Sequence, residues 1–192
     1  MTGTHMSQVA PPRECLGYGQ PVGGVVQTAF VVEDLAAAIE RQIADCGAGP
    51  FFRLDHFLRP GQVYRGAPSR ADIALAMGFA GHMLIELIQP LDEHPSVYRE
   101  AIARRGYGFH HFGVGARDVD EAARAYRARG FVEAFRAEVP TGGEVIYLDG
   151  GNGAQDGFIE LIPVSAGMDA HFTAMWRASL DWDGRDQVRP FL

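Results

Sequence analysis

Two periods alternate along this chain. Residues 25–32, Val25-Val26-Gln27-Thr28-Ala29-Phe30-Val31-Val32, are β-branched, aromatic and almost wholly apolar, the pattern of a strand. Asp34 opens a different period. Leu35, Ala38, Ile39, Ile43 and Cys46 recur at helical spacing, with Asp34 placed as N-cap and Gly47 as stop. Strand-like stretches at 51–58, 72–79 and 82–89 follow, punctuated by Gly61, Gly66, Pro68 and Gly81. Residues 95–105 read as a short linking helix that Gly106-Tyr107-Gly108 ends. Then the pattern starts again. Residues 109–116 are strand-like, and Asp118 with Glu121 three positions on is a capping box. Val119, Ala122, Ala123 and Tyr126 make the apolar face of the helix it opens, and Gly130 stops it. Strands are expected at 131–139, 144–149 and 157–164. A last helix at 168–180, a turn at 181–185 and an extended tail complete the chain.

The two halves match in detail. Gln27 lies seven residues before Asp34, and His111 lies seven before Asp118. The first helix takes thirteen residues from cap to stop, the second twelve. The last strands share their wording: Ile85-Glu86-Leu87-Ile88-Gln89-Pro90 and Ile159-Glu160-Leu161-Ile162-Pro163. This internal repeat predicts an α+β fold in which two four-stranded units, each with one helix, pack as halves of one structure. The boundaries it implies are an arm at 1–24, a first unit at 25–94, a linking helix at 95–108, a second unit at 109–164, and a helix with tail at 165–192.

Composition narrows the partners. The chain has 192 residues, enough for one domain with a core that needs no disulfides. A hydrophobic share of 47% with 21% charged residues excludes a disordered or fibrous chain. The net charge of −7, with no basic run, gives nucleic acid or an anionic membrane surface little to hold. Cys15 and Cys46 are too few for a disulfide framework and read as reduced thiols, which points to a cytoplasmic protein. No apolar run approaches the ~20 residues of a membrane helix, and residues 1–12 lack a leader pattern.

The polar residues inside apolar strands carry the chemistry. Alternation puts Glu86 on one face with Leu84 and Ile88, and Glu160 with Phe158 and Ile162. A carboxylate in such surroundings needs a partner. A metal ion, a buried arginine or a hydrated cleft would each serve. Arg53, Arg59, Arg65 and Arg70 are the nearest basic residues in the first half, placed to pair the glutamates or to hold an anionic substrate. Gln27 and His111 occupy one equivalent position, on the first strand of each half. With Glu86 and Glu160 they form a symmetric set of four, and that equivalence favours the metal. Strict alternation turns His110 to the other face with Phe112 and Val114, as packing. Met168, His171, Phe172, Met175, Trp176 and Trp182 read as a helix covering the open side of the sheet, or as a lid over an apolar substrate.

The paired units and these four positions resemble the vicinal oxygen chelate superfamily of glyoxalases, bleomycin-resistance proteins, epimerases and dioxygenases. The likeness spans about residues 25–165. It implies two tandem βαβββ modules whose curved mixed sheet surrounds a metal-bearing cleft. The order Gln27, Glu86, His111, Glu160 is similar to the ligand set of glyoxalase I of the eukaryotic type. Phe109-His110-His111 and Glu160 look like methylmalonyl-CoA epimerase, which would carry histidine in place of Gln27 and glutamine in place of Glu86. The glutathione-binding arginines of glyoxalase I are not matched by spacing. The dioxygenases use two histidines and a carboxylate for iron, whereas this set contains one histidine.

Three oxygen donors and one nitrogen suit one divalent ion per site, Zn, Ni, Co, Mn or Mg. The expected activity is a metal-dependent lyase, isomerase or epimerase that removes a proton next to a carbonyl of a small oxygen-chelating substrate. Thioesters, hemithioacetals and hydroxy ketones are the candidate substrates. By resemblance Glu160 is the base and Glu86 the second carboxylate, and a homodimer is expected. A non-catalytic, ligand-sequestering protein of the resistance type is the alternative.

Overall fold

The apolar stretch before Asp34 forms strand β1 (Val25–Val31), and the helical period forms α1 (Leu35–Cys46). Asp34 accepts the Ala37 N–H at 3.0 Å, and Gly47 ends the helix at φ 62°, a conformation that costs glycine little. The computed structural model describes residues 14–151 and 157–191. Residues 1–13, which hold the leader reading and the start of the arm, lie outside the described residues. The first half continues with β2 (Phe51–Leu54), β3 (Val63–Tyr64), β4 (Ala67–Pro68), β5 (Ile73–Ala80) and β6 (Met83–Pro90). Helix α2 (Val97–Arg105) leads to β7 (Gly108–Ala116) and α3 (Val119–Arg127), where Asp118 accepts the Glu121 N–H at 2.8 Å. Strands β8 (Val132–Glu138), β9 (Glu144–Asp149) and β10 (Phe158–Pro163), helix α4 (Ala166–Leu180) and β11 (Val188–Pro190) complete the described chain.

All these strands join one curved mixed sheet, in the order β11-β2-β5-β6-β1-β7-β10-β9-β8-β3-β4. Two βαβββ units meet at β1 and β7, which run antiparallel. Their pairing is centred on Thr28 and Phe112, with Gln27 opposite Gly113 and Ala29 opposite His111. Each central strand also pairs in parallel with the last strand of its own unit. Gln27 faces Leu84 and Ala29 faces Glu86; His111 faces Phe158 and Gly113 faces Glu160. The two registers are the same, so a two-fold relation carries one half onto the other.

Helices divide between the two faces of the sheet. On the convex side α1 packs Leu35, Ala38 and Ile39 against Ala74, Ala76 and Leu87. There α3 packs Ala123 against Ile146, Leu148 and Leu161. The concave side holds the larger core, into which α2 sends Val97, Tyr98 and Ala101, and α4 sends Met168, Phe172 and Met175. The C-terminal helix therefore covers the open side of the sheet. Residues 14–24 join it there, with Leu16 and Tyr18 buried.

Two segments differ from the sequence reading. The strand expected over 51–58 stops at Leu54. Residues 63–68 form a hairpin instead, with Arg65 (φ 49°) and Gly66 (φ 82°) at its tip, both in the left-handed region that a two-residue hairpin turn of this kind requires. This hairpin belongs to the first half by sequence but pairs with β8 of the second, Val63 against Arg136 and Tyr64 against Phe135. It thus extends the second half's edge of the sheet, and residues 55–62 carry the chain across to it from β2. The extended tail is strand β11, which lies parallel to β2.

Candidate functional site

Glu86 and Glu160 stand on the concave face, each between apolar neighbours of its own strand: Leu84 and Ile88, Phe158 and Ile162. Gln27 and His111 reach the same point from the two central strands. All four side chains are buried. Gln27 Nε2 donates to Glu86 Oε2 at 2.8 Å and to Glu160 Oε2 at 3.2 Å, and lies 3.2 Å from His111 Nε2. His111 Nε2 is 3.0 Å from Glu160 Oε2 and 3.4 Å from Glu86 Oε2. The structure therefore brings together every one of the four residues singled out from the sequence. Small residues make the convergence sterically feasible. Gly113 lies beneath Gln27, and a Cβ added there would stand 2.8 Å from Gln27 Cβ and 2.7 Å from Ile162 Cδ1. Ala29 holds the corresponding place opposite His111.

His110 does not face away. Between the Ala29–His111 and Phe30–Phe109 pairs, β7 carries one residue more than β1, a β-bulge whose extra residue is His110. The bulge resets the alternation and turns both histidines inward. A matching irregularity at Val26 lies in β1, so the two bulges obey the same two-fold relation. His110 is fully buried among Tyr98, Tyr147 and Phe158. Its Nδ1 lies 2.7 Å from His111 Nδ1, and its Nε2 lies 3.3 Å from the Val97 carbonyl oxygen. Tyr98 and Tyr147 also escaped the sequence reading. The equivalence of His110 with Val26 in the repeat was the one available signal for this group.

The arginines serve other purposes. Arg65 binds Glu100 at 2.7 Å and Asp149 at 2.5 Å, which ties the hairpin tip to α2 and to the end of β9. Arg53 pairs with Asp55 at 2.7 Å near the surface. Arg59 and Arg70 line a separate groove with Leu58 and Ser69. None of the four touches Glu86 or Glu160, whose partners are Gln27 and His111.

Electrostatics in the cluster follow from burial and proximity. Burial raises the Glu86 carboxyl above the usual carboxylate range; the hydrogen bond with His111 opposes this, and the neighbouring Glu160 adds to it. Burial disfavours a charged His111, but the Glu160 carboxylate and the hydrogen bonds to both glutamates outweigh it and lift His111 to about 9. His110, buried beside His111 with no acid against it, is held well below the ordinary histidine value. Burial, with Glu160 and Glu86 nearby, likewise keeps the Tyr147 and Tyr98 hydroxyls protonated.

This donor set fits a cation. Among the described residues, Glu86, His111 and Glu160 offer ligand atoms that all lie within 4.8 Å of one another. Gln27 Oε1 is buried with no hydrogen-bond partner, and turning the amide over would exchange it with Nε2. One unpartnered oxygen, two carboxylates short of positive charge and one imidazole are what a divalent ion satisfies. Beside the cluster lies a cavity of about 60 Å³, room for a few waters. Tyr98 and Tyr147 line it near the polar end; Leu54, Phe57, Leu75, Phe172 and Phe191 make its apolar walls.

A strand–helix–three-strand unit used twice, with buried polar side chains converging from two-fold-related positions, defines a class of protein. Residues 26–147 match the Glyoxalase/Bleomycin resistance protein/Dioxygenase superfamily, and the chain belongs to it. Among solved structures it is similar to methylmalonyl-CoA epimerase from Mycobacterium tuberculosis, at 22% identity and a TM-score of 0.56, over 78% of this chain and 93% of that one. A hypothetical protein from Bacillus halodurans superposes at 19% identity and a TM-score of 0.55, over 74% and 94%. A variant of the Streptomyces coelicolor epimerase in complex with 2-nitronate-propionyl-CoA follows at 20% identity and 0.54, over 76% and 99%. These likenesses establish the shared fold. The curated proteins contain no sequence match to the chain. Among the described residues no helix is long and apolar enough to cross a membrane.

Proposed function

We propose that this chain is a divalent-metal-dependent enzyme that removes a proton from the carbon next to a carbonyl, as an epimerase, isomerase or glyoxalase-type lyase. The observation that carries this reading is the meeting of Gln27, Glu86, His111 and Glu160 at one buried point beside an apolar cavity. These four residues would hold the ion. Three oxygens and one imidazole nitrogen suit Zn, Ni, Co, Mn or Mg. A bound ion would supply Lewis-acid polarisation of the substrate carbonyl.

The protein's own groups do the rest. Glu160 receives the proton. The family resemblance assigns it this role; in the cluster Gln27 holds Glu86 more closely (2.8 against 3.2 Å) and His111 holds Glu160 more closely (3.0 against 3.4 Å). Glu86 comes from the other half of the sheet and, by the family resemblance, is the second carboxylate that would act on the opposite face of the reacting carbon. The Tyr98 and Tyr147 hydroxyls stay protonated beside the cavity and can donate to a substrate oxygen. The apolar walls exclude water from the exchanging proton and accept a small alkyl group. One histidine in the donor set, rather than two, argues against ring-cleaving iron chemistry.

The neighbours that bind CoA thioesters put acyl-CoA compounds in the first screen, with hemithioacetals and α-hydroxy ketones beside them. The test has two parts. Elemental analysis of protein purified without chelator should find about one divalent ion per chain, absent from Glu86→Ala and Glu160→Ala variants. NMR in D2O should then show exchange of the substrate α-proton. A native protein that takes up none of these metals and exchanges no proton on any of the three substrate classes would overturn the proposal.

A further inference from the structure

We infer that His110 is a positioning residue for His111: it accepts a hydrogen bond from His111 Nδ1–H and so makes Nε2 the nitrogen whose proton a cation displaces at the site formed with Gln27, Glu86 and Glu160. The metal arm of its test rests on the four-donor reading above; the hydrogen-bond arm does not.

The argument begins at a carbonyl. The Val97 oxygen can only accept, so His110 Nε2, 3.3 Å away, carries a hydrogen. The 2.7 Å contact between His110 Nδ1 and His111 Nδ1 needs one hydrogen and has room for only one. If His110 supplied it, both its nitrogens would be protonated. The ring would then be a fully buried cation packed on Tyr98, Tyr147 and Phe158, with no carboxylate bonded to it among the described residues. An unpaired charge in that setting is strongly disfavoured. The hydrogen therefore belongs to His111 Nδ1, and the chain of bonds runs from His111 to His110 to the Val97 carbonyl.

Two consequences follow for the site. The other neutral tautomer of His111 would place a hydrogen on Nε2, where the carboxylates and a cation meet; the bond to His110 disfavours it. A rotated His111 ring would lose the 2.7 Å bond, so its orientation is held as well. His110 is itself fixed. Tyr98 stacks on it with ring centroids 5.2 Å apart and 27° between planes. Val97 and Tyr98 both lie in the first turn of α2, so the helix joining the two halves supplies the acceptor and the stacking ring. The bulge in β7 makes the arrangement accessible, because a regular strand would send His110 to the convex face.

Two variants and one spectrum test the inference. His110→Phe keeps the ring and its apolar contacts but removes the acceptor. His110→Asn puts an amide oxygen near the place of Nδ1. Chelator competition with Zn²⁺ should show His110→Phe binding about ten- to a hundredfold more weakly than wild type, with His110→Asn recovering most of the loss. In the metal-free wild-type protein, ¹⁵N NMR of labelled histidine should show a proton-bearing His111 Nδ1 and a proton-free His110 Nδ1. Unchanged Zn²⁺ affinity in folded His110→Phe would overturn the inference, as would a spectrum with the proton on His110 Nδ1. A wild-type protein that shows the expected spectrum but binds no divalent ion would sink the four-donor reading and leave the relay standing.

Discussion

The two halves of this molecule share a register and differ in chemistry. In both, the third residue of the repeat, Gln27 or His111, sits two positions before a small residue, Ala29 or Gly113. That small residue pairs with the half's own glutamate, Glu86 or Glu160. Both strands bulge at the preceding residue. What occupies that bulge is the difference. Val26 fills it in the first half and packs into the core. His110 fills it in the second half, and α2 stands behind it. The first half thus contributes a neutral amide that cannot titrate, and the second a histidine with a fixed partner. Duplication supplies the positions, and substitution within matched positions supplies an acid–base asymmetry that two identical halves would lack.

The largest effect should come from separating the two glutamates. Glu160→Gln removes the proposed base without changing its volume, and turnover should fall about 10²–10⁴-fold. Glu86→Gln should fall less for a step that needs one proton transfer, and equally for an epimerisation that needs a carboxylate on each side. Rates for both variants, with circular dichroism to confirm folding, would sort the reaction class. Full activity in Glu160→Gln would remove it from the mechanism.

The second test concerns the charge each half brings. In the metal-free protein His111 is raised to about 9 by its glutamates despite burial, so it holds a proton throughout neutral pH. A cation must displace that proton. Zn²⁺ affinity should therefore rise about tenfold per unit from pH 6 to 8. The sign reverses for the metal-free fold. A histidine raised above its unfolded value of 6.5 adds stability below that pH and loses it as pH climbs to about 9. Metal-free protein should melt lower at pH 9 than at pH 6.5. Metal affinity independent of pH would mean that His111 lies outside the binding site.

Much of this was legible from the chain, for identifiable reasons. The helices announced themselves through aspartate caps and apolar spacing, both local signals. The glutamates stood out because alternation puts each on one face with two large apolar residues, Leu84 and Ile88 or Phe158 and Ile162, where a charge needs a partner. The repeat then paired them with Gln27 and His111. Three features stayed hidden because they depend on partners far away in sequence. The β3–β4 hairpin has two-residue strands that exist only by pairing with β8. The early end of β2 frees the chain to cross to that hairpin. A bulge breaks the two-residue period at one step, so His110 read as outward-facing until its pairing with β1 was known. Arg65 is the same lesson in charge: nothing near it in sequence shows that Glu100 and Asp149 will meet it.

The smallest expected effect probes the ground on which the two-fold site is built. Gly113 and Ala29 hold equivalent places, yet one has a methyl group and the other does not. At Gly113 an added Cβ would come 2.7 Å from Ile162 Cδ1, which can rotate, and 2.8 Å from Gln27 Cβ, which moves only with its backbone. Gly113→Ala should therefore cost about 1–3 kcal/mol through overpacking and displace Gln27 toward the carboxylates. Ala29→Gly removes a methyl group and loosens the strand, at about 0.5–1 kcal/mol, with no atom pushed into the cluster. The two variants separate stability from the site. Melting temperature should fall in both, more in Gly113→Ala, while Zn²⁺ affinity should drop in Gly113→Ala alone. Equal loss of affinity in both would mean that the small residues tune strand stiffness and not the approach of Gln27.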